Sequence, residues 1–370
     1  MKIGVLTSSR ADYGIYLPLL RKLKVDIYFE IEIIAFGTHL SKFHGYTIRE
    51  IEKEKFNKIH SISTILTNDD PQSISSSYGL TCLKFADFWQ QNVYDLVFCL
   101  GDRYEMNAAV QAGLPYRIKF AHLHGGETTL GALDNIYRHQ ITLASTLHFT
   151  ANNAFSDHVA ELLGAKQHIF TVGSLSLDEI VNFKPKNKTD FYETYNIPNK
   201  DYALITFHPE TVNFEMNQYF ASEMSKSLTQ IISKLFLVIT MPNADTLGSV
   251  FRNEINHLKE DHPNQVLCIE NFGKENYFNA MYYSKILIGN TSSGIIEAAS
   301  FGKNVVNVGD RQKGRLQSEN IINSSFSNKN ILQAVELALT KGNYQGENAY
   351  YLPNPSDAII KAVKEYNETI

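Results

Sequence analysis

The sequence predicts an α/β chain of two Rossmann-like domains with parallel sheets. Three observations predict it. Along the 370 residues, short apolar runs alternate with stretches of helical spacing, as strands alternate with crossover helices in a parallel sheet. Two runs end alike: Leu96–Leu100 runs into Gly101-Asp102-Arg103, and Ile286–Ile288 into Gly289-Asn290-Thr291-Ser292-Ser293-Gly294. Between them lies a polar, apolar-poor stretch, Lys184-Pro185-Lys186-Asn187-Lys188-Thr189, the best linker candidate. Open parallel sheets bind ligands outside the carboxyl ends of their strands, so two sheets facing a central cleft are expected.

The elements follow in order. First-half strands are expected at Ile3–Thr7, Glu32–Gly37, Leu96–Leu100, Lys119–His122, Leu147–Thr150 and Ile169–Val172. Each is a short apolar run, too brief for a buried helix. Ser156–Leu163 has the composition of a helix and stops at Gly164, the residue favoured just past a helix end. Second-half strands are expected at Tyr202–Phe207, Leu235–Thr240, Val266–Ile269, Ile286–Gly289 and Asn304–Val308. In the tail, Ile359, Ile360, Val363 and Tyr366 fall near helical spacing across Asp357–Tyr366. The expected division is an N-terminal domain over 1–183, a C-terminal domain over 184–352, and a C-terminal helix over 353–370 packing back on the first.

Composition narrows the function. With 44% hydrophobic and 20% charged residues the chain can bury ordinary cores. A net charge of −5 without a basic block argues against nucleic-acid binding. The chain opens on the strand-like Lys2–Leu6 and has no apolar run near the ~18 residues of a membrane span, so neither a signal peptide nor a membrane partner is expected. Cys82, Cys99 and Cys268 lie far apart and read as buried free thiols of a reducing compartment, by default the cytoplasm.

The strand ends carry the chemistry. Thr7-Ser8-Ser9-Arg10-Ala11-Asp12-Tyr13-Gly14 lacks the GxGxxG fingerprint, and no Walker motif occurs. Arg10 suits a phosphate or a base there, and a plain surface arginine equally well. Asp102 and Arg103 stand side by side in Gly101-Asp102-Arg103-Tyr104-Glu105, with Asp102 either a helix cap or an acid/base. His122-Leu123-His124-Gly125-Gly126-Glu127 ends the next run. Alternation puts His122 and His124 on one face. With no cysteine near, zinc is a minor reading and no metal is expected. Asp134 and Arg138-His139 follow at a helix start, so Asp102, Glu127 and Asp134 are expected on one rim. In the second half, His208 of Phe207-His208-Pro209-Glu210-Thr211 suits a phosphate-facing or proton-moving role. Ser292, Ser293 and Gly294 open a helix whose start offers free N–H groups to a pyrophosphate. Glu297, one turn in, suits ribose hydroxyls. Gly309–Arg315 puts Arg311, Lys313 and Arg315 on one strand-end loop, apt for a substrate with two phosphates.

Together SRADYG (Ser9–Gly14), GDRYE (Gly101–Glu105), HGGE (His124–Glu127), FHPET (Phe207–Thr211), GNTSSG (Gly289–Gly294) and GDRQKGR (Gly309–Arg315) resemble the hydrolysing UDP-N-acetylglucosamine 2-epimerases, which open bacterial sialic-acid synthesis. The resemblance implies a GT-B-type fold with UDP held mainly by the C-terminal domain. It implies removal of the proton on the sugar carbon bearing the acetamido group as UDP leaves, then addition of water to 2-acetamidoglucal to give N-acetylmannosamine. By motif, Asp102, Glu127, Asp134 and His124 are acid/base candidates, with His208 near the departing diphosphate. Arg10, Arg103, Asn243, Phe272, Ser292, Ser293, Gly294, Glu297 and Arg311 are UDP candidates, Phe272 as a uracil contact. Several relatives carry Glu where His124 stands, so here either His124 or Glu127 must serve. No cofactor is implied, and a homo-oligomer, dimer or tetramer, is. UDP-N,N′-diacetylbacillosamine is the alternative substrate, a UDP-sugar glycosyltransferase the alternative enzyme, and a two-lobed sugar-binding protein the non-catalytic reading.

Overall fold

Apolar runs become strands where both faces of a sheet can be covered, and this chain does so in two separate sheets. The structure, a computed structural model, describes residues 1–66, 68, 70–130, 133–210, 212–242 and 248–368. Two units emerge: Met1–Glu127 with Asp134–Val181 and the tail from Tyr350, and Thr128–Leu133 with Asn182–Ala349.

The first unit holds β1 (Lys2–Thr7), β2 (Glu30–Phe36), β3 (Lys58–Ile62), β4 (Leu96–Leu100), β5 (Phe120–Leu123), β6 (Leu147–Thr150) and β7 (Ile169–Thr171). They form one parallel sheet in the order β3-β2-β1-β4-β5-β6-β7. Alternation divides each strand between two cores. Ile3, Val5, Leu96 and Phe98 pack with helix Arg10–Val25 and tail helix Pro355–Glu368, while Leu6, Val97 and Cys99 pack with Phe85, Phe88 and Trp89 of helix Pro71–Gln91. Each such fully buried side chain contributes about 1.5–3 kcal/mol. The tail helix is fastened by Asp178, which accepts from Ser356 N (3.1 Å) and Ser356 Oγ (2.9 Å).

The second unit holds β8 (Tyr202–Thr206), β9 (Phe236–Thr240), β10 (Val266–Ile269), β11 (Ile286–Gly289), β12 (Val305–Val308) and β13 (Ile321–Ser324). Its parallel sheet runs β10-β9-β8-β11-β12-β13. The chain steps outward from β1 to β3 and returns beside β1 at β4, and likewise from β8 to β10 and back at β11. In sheets of this order the usual ligand site lies outside the carboxyl ends of the strands, where the order reverses.

Several expectations change. The strands β3 and β13 were not foreseen; both are edge strands of mostly half-exposed residues, so neither shows a continuous apolar run. The linker candidate is tied into the second unit: Asn187 Oδ1 caps helix Lys188–Tyr195, and Lys186 N–H donates to Asn279 Oδ1 at 2.8 Å. Only Cys99 is buried; Cys82 and Cys268, both free, are partly exposed. The expected helices at Ser156–Leu163 and Asp357–Tyr366 lie within Asn153–Leu163, stopped by a left-handed Gly164, and Pro355–Glu368. Among the described residues no helix is long and apolar enough to cross a membrane.

Candidate active site

In the first unit the site is built at the ends of β4 and β5. Asp102 follows Gly101, and the helix cap there is Arg103, so capping is not the role of Asp102. Its carboxylate instead pairs with Arg138 Nη2. Arg138 comes from helix Asp134–Ala144 and is 1% exposed. Its Nη1 donates to the His124 carbonyl at 2.7 Å and lies 3.7 Å from Glu127 Oε2. Glu127 Oε1 accepts from His124 Nδ1 at 2.9 Å. One buried guanidinium thus gathers Asp102, Glu127 and the His124 backbone. Asp134 opens the same helix one turn before Arg138 and is half-buried.

The two histidines do not act as a pair. Alternation ends at Leu123, because His124 takes a left-handed backbone (φ 63°) that turns its ring toward Glu127. His122 stays in the sheet, donating from Nε2 to the Gly101 carbonyl at 2.8 Å and accepting at Nδ1 from Thr142 Oγ1 at 3.1 Å. Burial pushes its imidazole down to about 3, so it is neutral and structural. Among the described residues no group of three or more His, Cys, Asp or Glu is placed to hold a metal. Gly126 serves the same turn: its φ is +77°, and a Cβ there would stand 2.2 Å from the Phe155 carbonyl oxygen.

Beside this group, Arg103 is held by Glu105, with Nη2 to Oε1 at 2.9 Å and Nε to Oε2 at 3.2 Å. Arg10 starts its helix behind Ser9, which forms a capping box with Asp12. Asp12 also accepts from Thr7 Oγ1 (2.6 Å) and Ser8 N (2.8 Å), so one buried carboxylate shapes the turn that carries Arg10.

In the second unit three loops are knitted together at the carboxyl ends of β8, β11 and β12. Asn290 Oδ1 accepts from His208 N (2.7 Å) and its Nδ2 donates to the His208 carbonyl (2.8 Å), clamping the backbone of a 6% exposed histidine. Glu210 Oε1 accepts from Asp310 N at 2.6 Å, and Gln312 Nε2 donates to the Asn290 carbonyl at 2.7 Å. Gly309 (φ +80°) permits this approach, since a Cβ would lie 2.4 Å from Glu210 Oε1. Arg311 Nη1 donates to the Pro209 carbonyl at 2.7 Å. The turn after β11 becomes a helix of five residues, Ser292–Ile296, capped by Thr291; Glu297 is its C-cap and is buried. Ser292 is exposed, Ser293 half-buried, and Gly294 buried against Val305. Tyr277 bonds Thr206 and Ser293 and is pushed up to about 12, chiefly by burial.

Two UDP candidates stand apart. The Phe272 ring is 5% exposed and packs on Tyr195 (centroids 4.7 Å) and Phe191 (6.2 Å). It is committed to the aromatic core, so its ring is not open to stack on a base. Asn243 lies outside the described residues. Conversely, Arg138, Asn290, Glu210, Gln312 and Tyr277 organise these loops and were not among the expected site residues. Their signal was weak: Asn290, Glu210 and Gln312 lie inside the motifs and Arg138 and Tyr277 outside them, but what each pairs with depends on distant chain.

These features define a class first. Two doubly wound parallel-sheet units with functional groups at their strand ends are a GT-B-type fold. A solved structure from Neisseria meningitidis, described as UDP-GlcNAc 2-epimerase bound to UDP-GlcNAc, shares it with a TM-score of 0.80 at 17% identity, over 99% of this chain and 100% of that one. The family model described as UDP-N-acetylglucosamine 2-epimerase matches residues 21–364, and the chain belongs to this family. It is 35% identical to the GDP/UDP-N,N′-diacetylbacillosamine 2-epimerase (hydrolyzing) of Campylobacter jejuni, over 88% of this chain and 85% of that protein. It is 34% identical to the UDP-N,N′-diacetylbacillosamine 2-epimerase (hydrolyzing) of Legionella pneumophila, over 94% and 92%.

Proposed function

We propose that this chain is a hydrolysing 2-epimerase of a UDP-linked 2-acetamido sugar. The observation that carries the reading is the family match across residues 21–364, joined to the group within it of half-buried Asp102 with buried Arg138, Glu127 and His124. A base takes the proton from C2 while the bond from C1 to the UDP oxygen breaks. Water then adds to the 2-acetamidoglucal, giving the free 2-epimer and UDP. The C2 proton is weakly acidic, so stabilising the leaving diphosphate supplies much of the rate.

In this reading Asp102, Glu127, Asp134 and His124 form the acid/base group and His208 attends the departing diphosphate. Arg10, Arg103, Asn243, Ser292, Ser293, Gly294, Glu297 and Arg311 serve UDP, and Phe272 contributes backbone only. The two relatives at 35% and 34% identity favour UDP-N,N′-diacetylbacillosamine as substrate. The family description and the motif set favour UDP-N-acetylglucosamine.

Proton NMR in deuterated water with each UDP-sugar tests both. The free 2-epimer deuterated at C2, with UDP released, is the expected outcome, and the faster substrate is the assigned one. A deuterated 2-epimer still carrying UDP would place the chain in the non-hydrolysing branch. UDP released only when an acceptor is added would make it a glycosyltransferase.

A further inference from the structure

We propose that His124 is the base that takes the C2 proton, through Nε2, and that Glu127 is its positioning residue. This rests on the 2-epimerase reading above. A carboxylate only accepts, so the 2.9 Å contact fixes the hydrogen on His124 Nδ1. In the basic form of the ring, with its one hydrogen on Nδ1, the lone pair lies at Nε2. That atom is buried, in a residue 7% exposed, and has no hydrogen-bond partner among the described residues. Buried polar atoms are nearly always paired, and an exception calls for a functional explanation. A proton acceptor awaiting a C–H group, which forms no strong hydrogen bond, is such an explanation.

The surroundings divide the roles. Glu127 Oε1 holds the imidazole N–H and its Oε2 faces Arg138 at 3.7 Å. Held at both oxygens, this carboxylate fixes the direction in which the imidazole points. Arg138, from helix Asp134–Ala144, also grips the His124 carbonyl and pairs with Asp102 from the end of β4. His122 of β5 is neutral. Among the described residues, the charged groups in contact with His124 are Glu127 at its ring and Arg138 at its backbone carbonyl.

The step balances. Nε2 takes the C2 proton, the C–H electron pair becomes the second bond between C1 and C2, and the UDP oxygen leaves with the pair of the C1–O bond. The Glu127 carboxylate stabilises the imidazolium, which then returns its proton to solvent. In the second half-reaction a different acid delivers a solvent-derived proton to C2 from the other face, and water adds at C1.

The experiment compares wild type with His124→Asn, His124→Glu and Glu127→Gln. It follows UDP release from the UDP-sugar, hydration of added 2-acetamidoglucal, and UDP affinity. For His124→Asn, UDP release is expected to fall about 10²–10⁴-fold, the usual contribution of general acid–base catalysis, with hydration and UDP affinity kept within about threefold. His124→Glu is expected to recover part of the release, with the acid limb of its pH profile moved to lower pH, since a carboxylate is the weaker base. Glu127→Gln is expected to lower release less than His124→Asn does and to shift the same limb. If His124→Asn releases UDP within threefold of wild type, or loses hydration equally, the inference is overturned while the epimerase reading stands. A wild type that converts neither UDP-sugar overturns both.

Discussion

At the residue scale, one guanidinium decides how the carboxylates behave. Arg138 is 1% exposed and contacts Asp102, Glu127 and the His124 backbone. Breaking a buried pair typically costs about 3–5 kcal/mol, because the remaining charge loses its partner. Asp102 keeps 21% of its side chain in solvent, so Arg138→Met is expected to fall near the lower end of that range, read from the urea midpoint. Asp102→Asn is expected to cut turnover about 10²-fold or more while UDP affinity changes less than threefold by calorimetry. Equal losses of both would assign Asp102 to nucleotide binding instead.

At the element scale, strand ends set the loops and the loops set the groups. The turn after β5 needs a residue without Cβ at Gly126, where φ is +77° and Phe155 O would sit 2.2 Å from a methyl. Gly164 has a similar φ of +66° at a helix end but nothing within 4 Å. Gly164→Ala is therefore expected to cost only about 1–2 kcal/mol, the left-handed penalty alone. Gly126→Ala is expected to lower Tm much further and to reduce turnover by displacing Glu127. Equal melting temperatures for the two variants would show that the Phe155 carbonyl yields without cost. In the second unit the Glu210 contact with Asp310 N does similar work, joining the loops after β8 and β12.

At the scale of the whole molecule, buried histidines make the fold acid-sensitive. Burial pushes His122 down to about 3 and His148 to about 4, and His39 is lowered for the same reason. An unfolded chain binds these protons near pH 6.5 and the native one does not. Their stabilisation is thus complete above about pH 6.5 and is lost as pH falls toward the native values. Glu32 acts in the same direction further down. Burial would raise it, but hydrogen bonds from His60, Tyr94 and Lys2 outweigh that and bring it to about 2. Its contribution is present above the ordinary carboxylate range and lost as pH falls toward 2. Between pH 7 and pH 5 His122 and His148 are expected to remove on the order of 1–2 kcal/mol each, seen as a falling urea midpoint. His148→Asn is expected to flatten that slope, and an unchanged slope would exclude His148 from it.

Sequence alone determined the two parallel-sheet halves, the central strands and the ends of β4, β5, β8, β11 and β12, because continuous apolar runs and the turns after them are local properties. It also carried the family, through short motifs in fixed order. The edge strands β3 and β13 escaped it, since half-exposed residues leave no apolar run. The tertiary structure alone decided the pairings. Arg138 meets Asp102 across 36 residues, Asn290 clamps His208 across 82, and Glu210 reaches Asp310 across 100. It also decided that His122 and His124 part company, because one left-handed residue ends the alternation that periodicity assumes. A side chain's partner depends on which strands lie side by side and where each backbone turns, and neither is encoded in the spacing of residues along one segment.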